Sequence, residues 1–175
     1  MSEISPWFGR RFEFSLPLEL LPNLMARLRG TPARLEDLLR GRPREQLVDK
    51  TEEGWTAQEH AGHLYDLEAL WTARIADYAE AKESMTPADL TNRKTTEANH
   101  NQRPVEEILA AYRGARQLLL ETVSRQDRTA FERTLPHPRL GTPMRLIDHL
   151  HFVAEHDDHH LARIAELVGQ VSFGR

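Results

Sequence analysis

The 175-residue sequence contains no cysteine. That excludes disulfides, thiolate metal sites and a cysteine nucleophile, so any metal must be held by nitrogen and oxygen. There is no apolar run of about eighteen residues, so no membrane partner is expected. The opening residues Met1-Ser2-Glu3-Ile4-Ser5-Pro6 lack the apolar stretch of a secretory signal, and the expected location is cytoplasmic. A basic stripe is also lacking. With 23 Lys and Arg against 27 Asp and Glu, the formal charge is −4, which argues against nucleic acid as a partner. No internal repeat, low-complexity tract or convincing strand alternation is found.

What is present is helical spacing. At 39% hydrophobic and 29% charged, the chain suits one soluble domain, residues 1–175, with a real core. Residues 1–17 read as an irregular arm whose Trp7, Phe8, Phe12 and Phe14 pack on the body or on a partner subunit. From Leu18, leucines at helical spacing run to Leu39, and Gly30-Thr31-Pro32 is expected to interrupt or kink that element, with Thr31 and Pro32 as a restart. Thr56-Ala57-Gln58-Glu59 is a capping box opening a second helix to about Tyr78. Residues 79–103 are the least regular part, a length that suits a functional loop or a short helix. Pro104 starts a third helix through Ser124. A fourth spans Thr142 to Val168, with Thr142 as cap, Pro143 in first position and Gly169 as stop. The fold class is all-α: a four-helix bundle whose long connection between helices 2 and 3 permits a crossover.

Chemistry concentrates in the last helix. At about 100° per residue, His149, Val153, His156, His160, Ile164 and Leu167 share one stripe, apolar at its ends and histidine in the middle. Imidazoles at i and i+4 can converge on one metal ion; a core of neutral, hydrogen-bonded histidines is the competing reading. A further ligand should come from a facing helix. The second helix offers His60 and His63; His63 lies in line with Thr56, Leu67 and Leu70 and is the more inward, leaving His60 beside the site or at the boundary. Three histidines leave coordination positions open to water and substrate.

Gly54-Trp55-Thr56, the run Gln58-Glu59-His60-Ala61-Gly62-His63-Leu64-Tyr65-Asp66-Leu67-Glu68, and His156-Asp157-Asp158-His159-His160 together resemble the DinB/YfiT-like superfamily. The resemblance extends from the Thr31-Pro32 element to the last helix. It implies a four-helix bundle, often a homodimer, in which His63, His156 and His160 bind one divalent ion, zinc or nickel first and iron or manganese as alternatives. It also implies a metal-dependent transferase or isomerase acting on a small molecule with a low-molecular-weight thiol such as bacillithiol, mycothiol or glutathione as cosubstrate. A thiol fits the missing cysteine, because the nucleophile would arrive with the cosubstrate. Arg93, Lys94 and Arg103 could meet a carboxylate of such a molecule, or simply face solvent.

Other readings stay open. His156-Asp157-x-x-His160 resembles a zincin motif with aspartate replacing glutamate, and Asp157 could polarise water in a small-molecule hydrolase. A di-iron carboxylate bundle needs two Glu-x-x-His segments, and only Glu97-Ala98-Asn99-His100 qualifies. A non-catalytic bundle stabilised by its metal, of stress-response type, is the remaining class. Asn99 and His100, in the long connection, are capping residues or pocket residues. Trp55, Trp71 and Tyr78 are packing residues first and pocket walls second. His137 and His151 read as surface histidines.

Overall fold

A computed structural model describes residues 4–50 and 54–170. In chain order its helices are α1 (Leu21–Leu39), α2 (Arg44–Leu47), α3 (Ala57–Ala79), α4 (Arg93–Glu97), α5 (Val105–Ser124), α6 (Arg128–Glu132) and α7 (Leu146–Leu167). Two three-residue strands, β1 (Thr134–Pro136) and β2 (Pro143–Arg145), form an antiparallel pair just before α7. The long helices α1, α3, α5 and α7 make the bundle.

Cross-helix bonds define its topology. Leu16 meets Asp148, Thr31 meets Asp157 and Arg42 meets Val168, so α1 and α7 run parallel. Gln58 reaches Arg103 and Arg116 reaches Glu68, so α3 and α5 are parallel too. His60 against His160 and Tyr78 against Met144 make α3 antiparallel to α7. Parallel neighbours cannot be joined by a tight turn. The long connection after α3, which carries α4 and a 3-10 turn at His100–Gln102, returns the chain to the starting end of α5.

Two local expectations fail for identifiable reasons. Pro32 does not interrupt α1, which is continuous from Leu21 to Leu39. Proline removes the N–H that would bond the carbonyl four residues back. That carbonyl, Leu28 O, accepts instead from Arg116 Nη1 at 3.2 Å. Thr31 caps nothing, since its hydroxyl donates to Asp157 Oδ2 at 3.0 Å. The last helix starts at Leu146 rather than at Pro143, because Pro143–Arg145 pairs with Thr134–Pro136 and buries Met144 against Leu135. Asp148 then takes the Arg145 N–H as the helix begins. The capping box at Thr56 and Glu59 is present with both bonds, and Gly169, at φ 70°, follows the end of α7 in the left-handed region where glycine is at ease.

The core has two parts. One gathers Leu28, Trp71, Ile75, Tyr78, Leu150 and Val153, and the arm residues Trp7, Phe12 and Phe14 pack against it. The other gathers Leu35, Leu39, Leu64, Ile108, Tyr112 and Ile164. The histidines lie where the two meet. The arm therefore packs on its own body, and Phe8 alone of its four aromatics is 64% exposed.

Candidate metal centre

His63 projects from the second turn of α3, and His156 and His160 from successive turns of α7. All three are buried, and one ring nitrogen from each lies within 4.8 Å of the others. Between His156 and His160 the two Nε2 atoms are 3.2 Å apart. The outer nitrogens of two rings are held. His63 Nδ1 lies 3.0 Å from Thr95 Oγ1, and His160 Nδ1 lies 2.8 Å from His60 Nδ1. If Nδ1 carries the proton in both rings, each Nε2 keeps its lone pair for an ion, the arrangement that fixes a metal-binding histidine's tautomer. His156 Nδ1 is buried without a partner.

Burial decides the protonation state. It pushes His63 down to about 4 and His60 down to about 3, with the neighbouring histidines adding to the effect at His60. His156 and His160 are driven well below the ordinary imidazole range by the same desolvation. The rings are neutral at physiological pH, the form that offers a lone pair. Three converging neutral nitrogens, with the outer atoms of His63 and His160 supported, fit a divalent ion. Trp55 closes one side, its ring 4.5 Å from that of His63 and 5.5 Å from that of His60.

The trio lines a cavity of about 470 Å³. Trp7, Phe8, Leu67, Leu70, Trp71 and Phe152 form apolar walls, and His159 joins the histidine side. Trp7 stands 5.0 Å from both Phe152 and His156, so the N-terminal arm supplies a wall of the cavity.

Not every candidate converges here. His60 is a supporting neighbour of His160 rather than a boundary residue. Asp157 does not face the cavity: it lies at 0% exposure in an ion pair with Arg116, whose guanidinium also holds Glu68. One residue along a helix turns the side chain by about 100°, enough to take it off the face of His156 and towards α5. His149 is fully buried two turns before His156, between Trp71 and Tyr78, and is not among the cavity walls. Asn99 is exposed and bonds Glu97 O. His100 is buried but points its Nε2 at Asp66, 2.8 Å away, and its ring packs on Gly62, where an added Cβ would come within 2.2 Å of it. It locks the long connection onto α3.

Lys94 reaches Asp66 O, Arg103 lies near Glu107, and Arg93 is exposed, so none of the three lines this cavity. His137, expected at the surface, is 2% exposed because the β1–β2 turn folds it against Arg74. His151 is partly buried. Thr95, Arg74 and Arg139 were not singled out from the sequence, and His137 was placed at the surface. Of these only Arg74 carried a signal: it continues the line of His63, Leu67 and Leu70 along one face of α3.

Solved structures share this architecture. YfiT from Bacillus subtilis, described as a probable metal-dependent hydrolase with an unusual four-helix bundle topology, superposes with a TM-score of 0.78 at 21% identity, covering 92% of this chain and 93% of that one. The mycothiol-dependent maleylpyruvate isomerase superposes with a TM-score of 0.66 at 13% identity, covering 89% of this chain and 67% of that one. Both likenesses establish the fold. No curated protein matches the sequence. The family model of the DinB superfamily matches residues 27–164, the whole span from the middle of α1 to the last turns of α7 that positions the three histidines, and the chain belongs to that superfamily.

Proposed function

We propose that this protein is a metal-dependent enzyme that joins a low-molecular-weight thiol to a small-molecule substrate, with His63, His156 and His160 as the ligands of one zinc or nickel ion. The observation that carries the reading is that all three ligands stand in the wall of a cavity able to take a small molecule. A divalent ion held there supplies Lewis acidity and lowers the pKa of an approaching thiol. The chain's own residues do the rest. Thr95 and His60 orient the ligand rings, and Trp7, Trp71 and Phe152 exclude water from the reacting centre. The chain has no cysteine, which fits a thiol nucleophile that arrives with the cosubstrate.

A small-molecule hydrolase is the second reading, favoured by the likeness to YfiT. Asp66, Glu68 and Asp157, buried acids on the helices that carry the histidines, are committed to His100 and Arg116, and Asp89, the acid in the cavity wall, gives its oxygens to Thr91 and Arg93 N, which supports the thiol reading over one that needs a carboxylate base. Homodimerisation and a cytoplasmic location belong to the same proposal.

The test is to load the purified protein with zinc or nickel and follow thiol loss with bacillithiol, mycothiol and glutathione against a chromogenic electrophile, beside an ester panel without thiol. Metal-dependent thiol consumption that disappears in His63→Ala supports transfer. Ester cleavage without thiol would replace it with hydrolysis. A metal-loaded protein inert in both, whose fold collapses on chelation, would make the metal structural.

A further inference from the structure

The cavity has a second polar end. Arg74 of α3 (1% exposed), His137 and Arg139 line it on the side towards the β1–β2 turn. His137 Nδ1 accepts from the backbone N–H groups of Arg139 and Leu140, each at 3.3 Å. A neutral imidazole accepting at Nδ1 carries its proton on Nε2. Arg74 Nη1, which can only donate, lies 3.0 Å from Nε2, so N–H donors face both ring nitrogens and in either tautomer one His137 N–H has no acceptor. Arg139 Nη2 is buried and has no partner at all.

The surrounding acids are already spent. Asp77 gives its oxygens to Lys82 and to the Thr86 N–H, and Asp89 gives its own to Thr91 and Arg93 N. Among the described residues no carboxylate forms a salt bridge with Arg74 or Arg139. Burial pushes Arg74 down to about 10, and the charge of Arg139 pushes the same way. A buried guanidinium at Arg74, a buried unpartnered Nη2 on the partly exposed Arg139 and an imidazole N–H without an acceptor are a poor arrangement unless something anionic completes it.

We infer that Arg74, His137 and Arg139 form an anion subsite that takes the carboxylate of a small molecule whose apolar body lies along Phe152, Trp7 and Trp71. Phe152 links the two ends: its ring is 5.0 Å from that of His137, 6.0 Å from the Arg139 guanidinium and 5.0 Å from Trp7, which in turn touches His156. Phe152 and His156 are one turn apart on α7, about 6 Å along the axis. A carboxylate anchored at Arg139 therefore carries its far end to the histidines across a short chain or one ring. That reach, which names the substrate class as a compact apolar carboxylate, rests on the enzyme reading above; the subsite itself does not need the metal.

The experiment is a fluorescence titration, reporting through Trp7 and Trp71, of metal-free and metal-loaded protein with 3-phenylpropionate and its neutral amide, 3-phenylpropanamide. The carboxylate should bind about tenfold or more tightly than the amide, and Arg139→Gln should abolish that preference while Arg139→Lys keeps part of it. Circular dichroism and melting temperature should match wild type in both variants. Equal binding of acid and amide, no binding of either to wild type, or an Arg139→Gln protein that prefers the acid as wild type does would overturn the subsite. Charge-selective binding in a protein that takes up no metal would leave the subsite standing and end the enzyme reading; metal uptake without charge selectivity would do the reverse.

Discussion

Arg116 Nη1 and Asp157 Oδ2 are 2.5 Å apart, with the two residues 1% and 0% exposed, and Asp157 is the residue after the proposed ligand His156. The same guanidinium takes both oxygens of Glu68, on the helix that carries His63, and donates to the Leu28 carbonyl that Pro32 leaves without a partner. One side chain on α5 thus ties together α1, α3 and α7 and sets how the two helices that carry His63, His156 and His160 lie against each other.

Removing that side chain strands two buried carboxylates. Arg116→Met should destabilise the protein by about 3–5 kcal/mol, the usual cost of breaking a buried pair from one side. Adding Glu68→Gln and Asp157→Asn to Arg116→Met should recover a large part, because the charges left unpaired are then gone. Urea denaturation of the three proteins measures both effects. An Arg116→Met midpoint equal to that of wild type would show that the network carries no such role.

Thr95 touches the site only through Nδ1 of His63. Thr95→Val keeps the shape and removes the hydroxyl, so the fold should persist while zinc affinity falls by about 10–100-fold, the usual effect of losing a ligand's outer partner. A competition titration with a chromogenic chelator reads the change. Affinity equal to wild type would mean that packing alone, through Trp55 and its neighbours, holds the His63 ring.

Acid should weaken the metal-free protein. Desolvation pushes His137 down to about 3 and fully buried His149 well below its ordinary value. Between those folded-state values and about 6.5, the unfolded chain binds more protons than the folded one, so the stability is complete above about 6.5 and is lost as pH falls, by up to about 1.4 kcal/mol per pH unit for each such group. His149→Phe removes one of these groups and should flatten the fall in unfolding free energy between pH 7 and pH 5 (values in chelator-treated protein). An acid limb as steep as that of wild type would contradict the assignment.

Much of this was legible in the sequence, and what was not has a common cause. His156 and His160 could be paired because an i,i+4 spacing on one helix fixes their side, and the capping box at Thr56 and Glu59 fixed the start of the helix that brings His63. Local rules misread Pro32 and Pro143: Arg116 bonds the carbonyl that Pro32 leaves without a partner, and pairing with Thr134–Pro136 draws Pro143 into a strand ahead of the helix. Asp157 looked like a site residue through its neighbours in sequence, yet its carboxylate belongs to a side chain on another helix. His137 and Arg139 sit in a turn whose approach to Arg74 depends on strand pairing that no spacing announces.

His63, His156 and His160 are proposed to hold one divalent ion in a protein that folds without it. Elemental analysis of wild type beside His63→Ala, His156→Ala and His160→Ala, with circular dichroism on each, tests it most directly. The account predicts about one zinc or nickel per wild-type chain, lost in all three variants while their helical spectra stay close to wild type, as expected for a site that binds through three imidazoles. A wild-type protein that takes up no metal after incubation with zinc or nickel, or variants that keep it, would contradict the account and leave the histidines as part of the core.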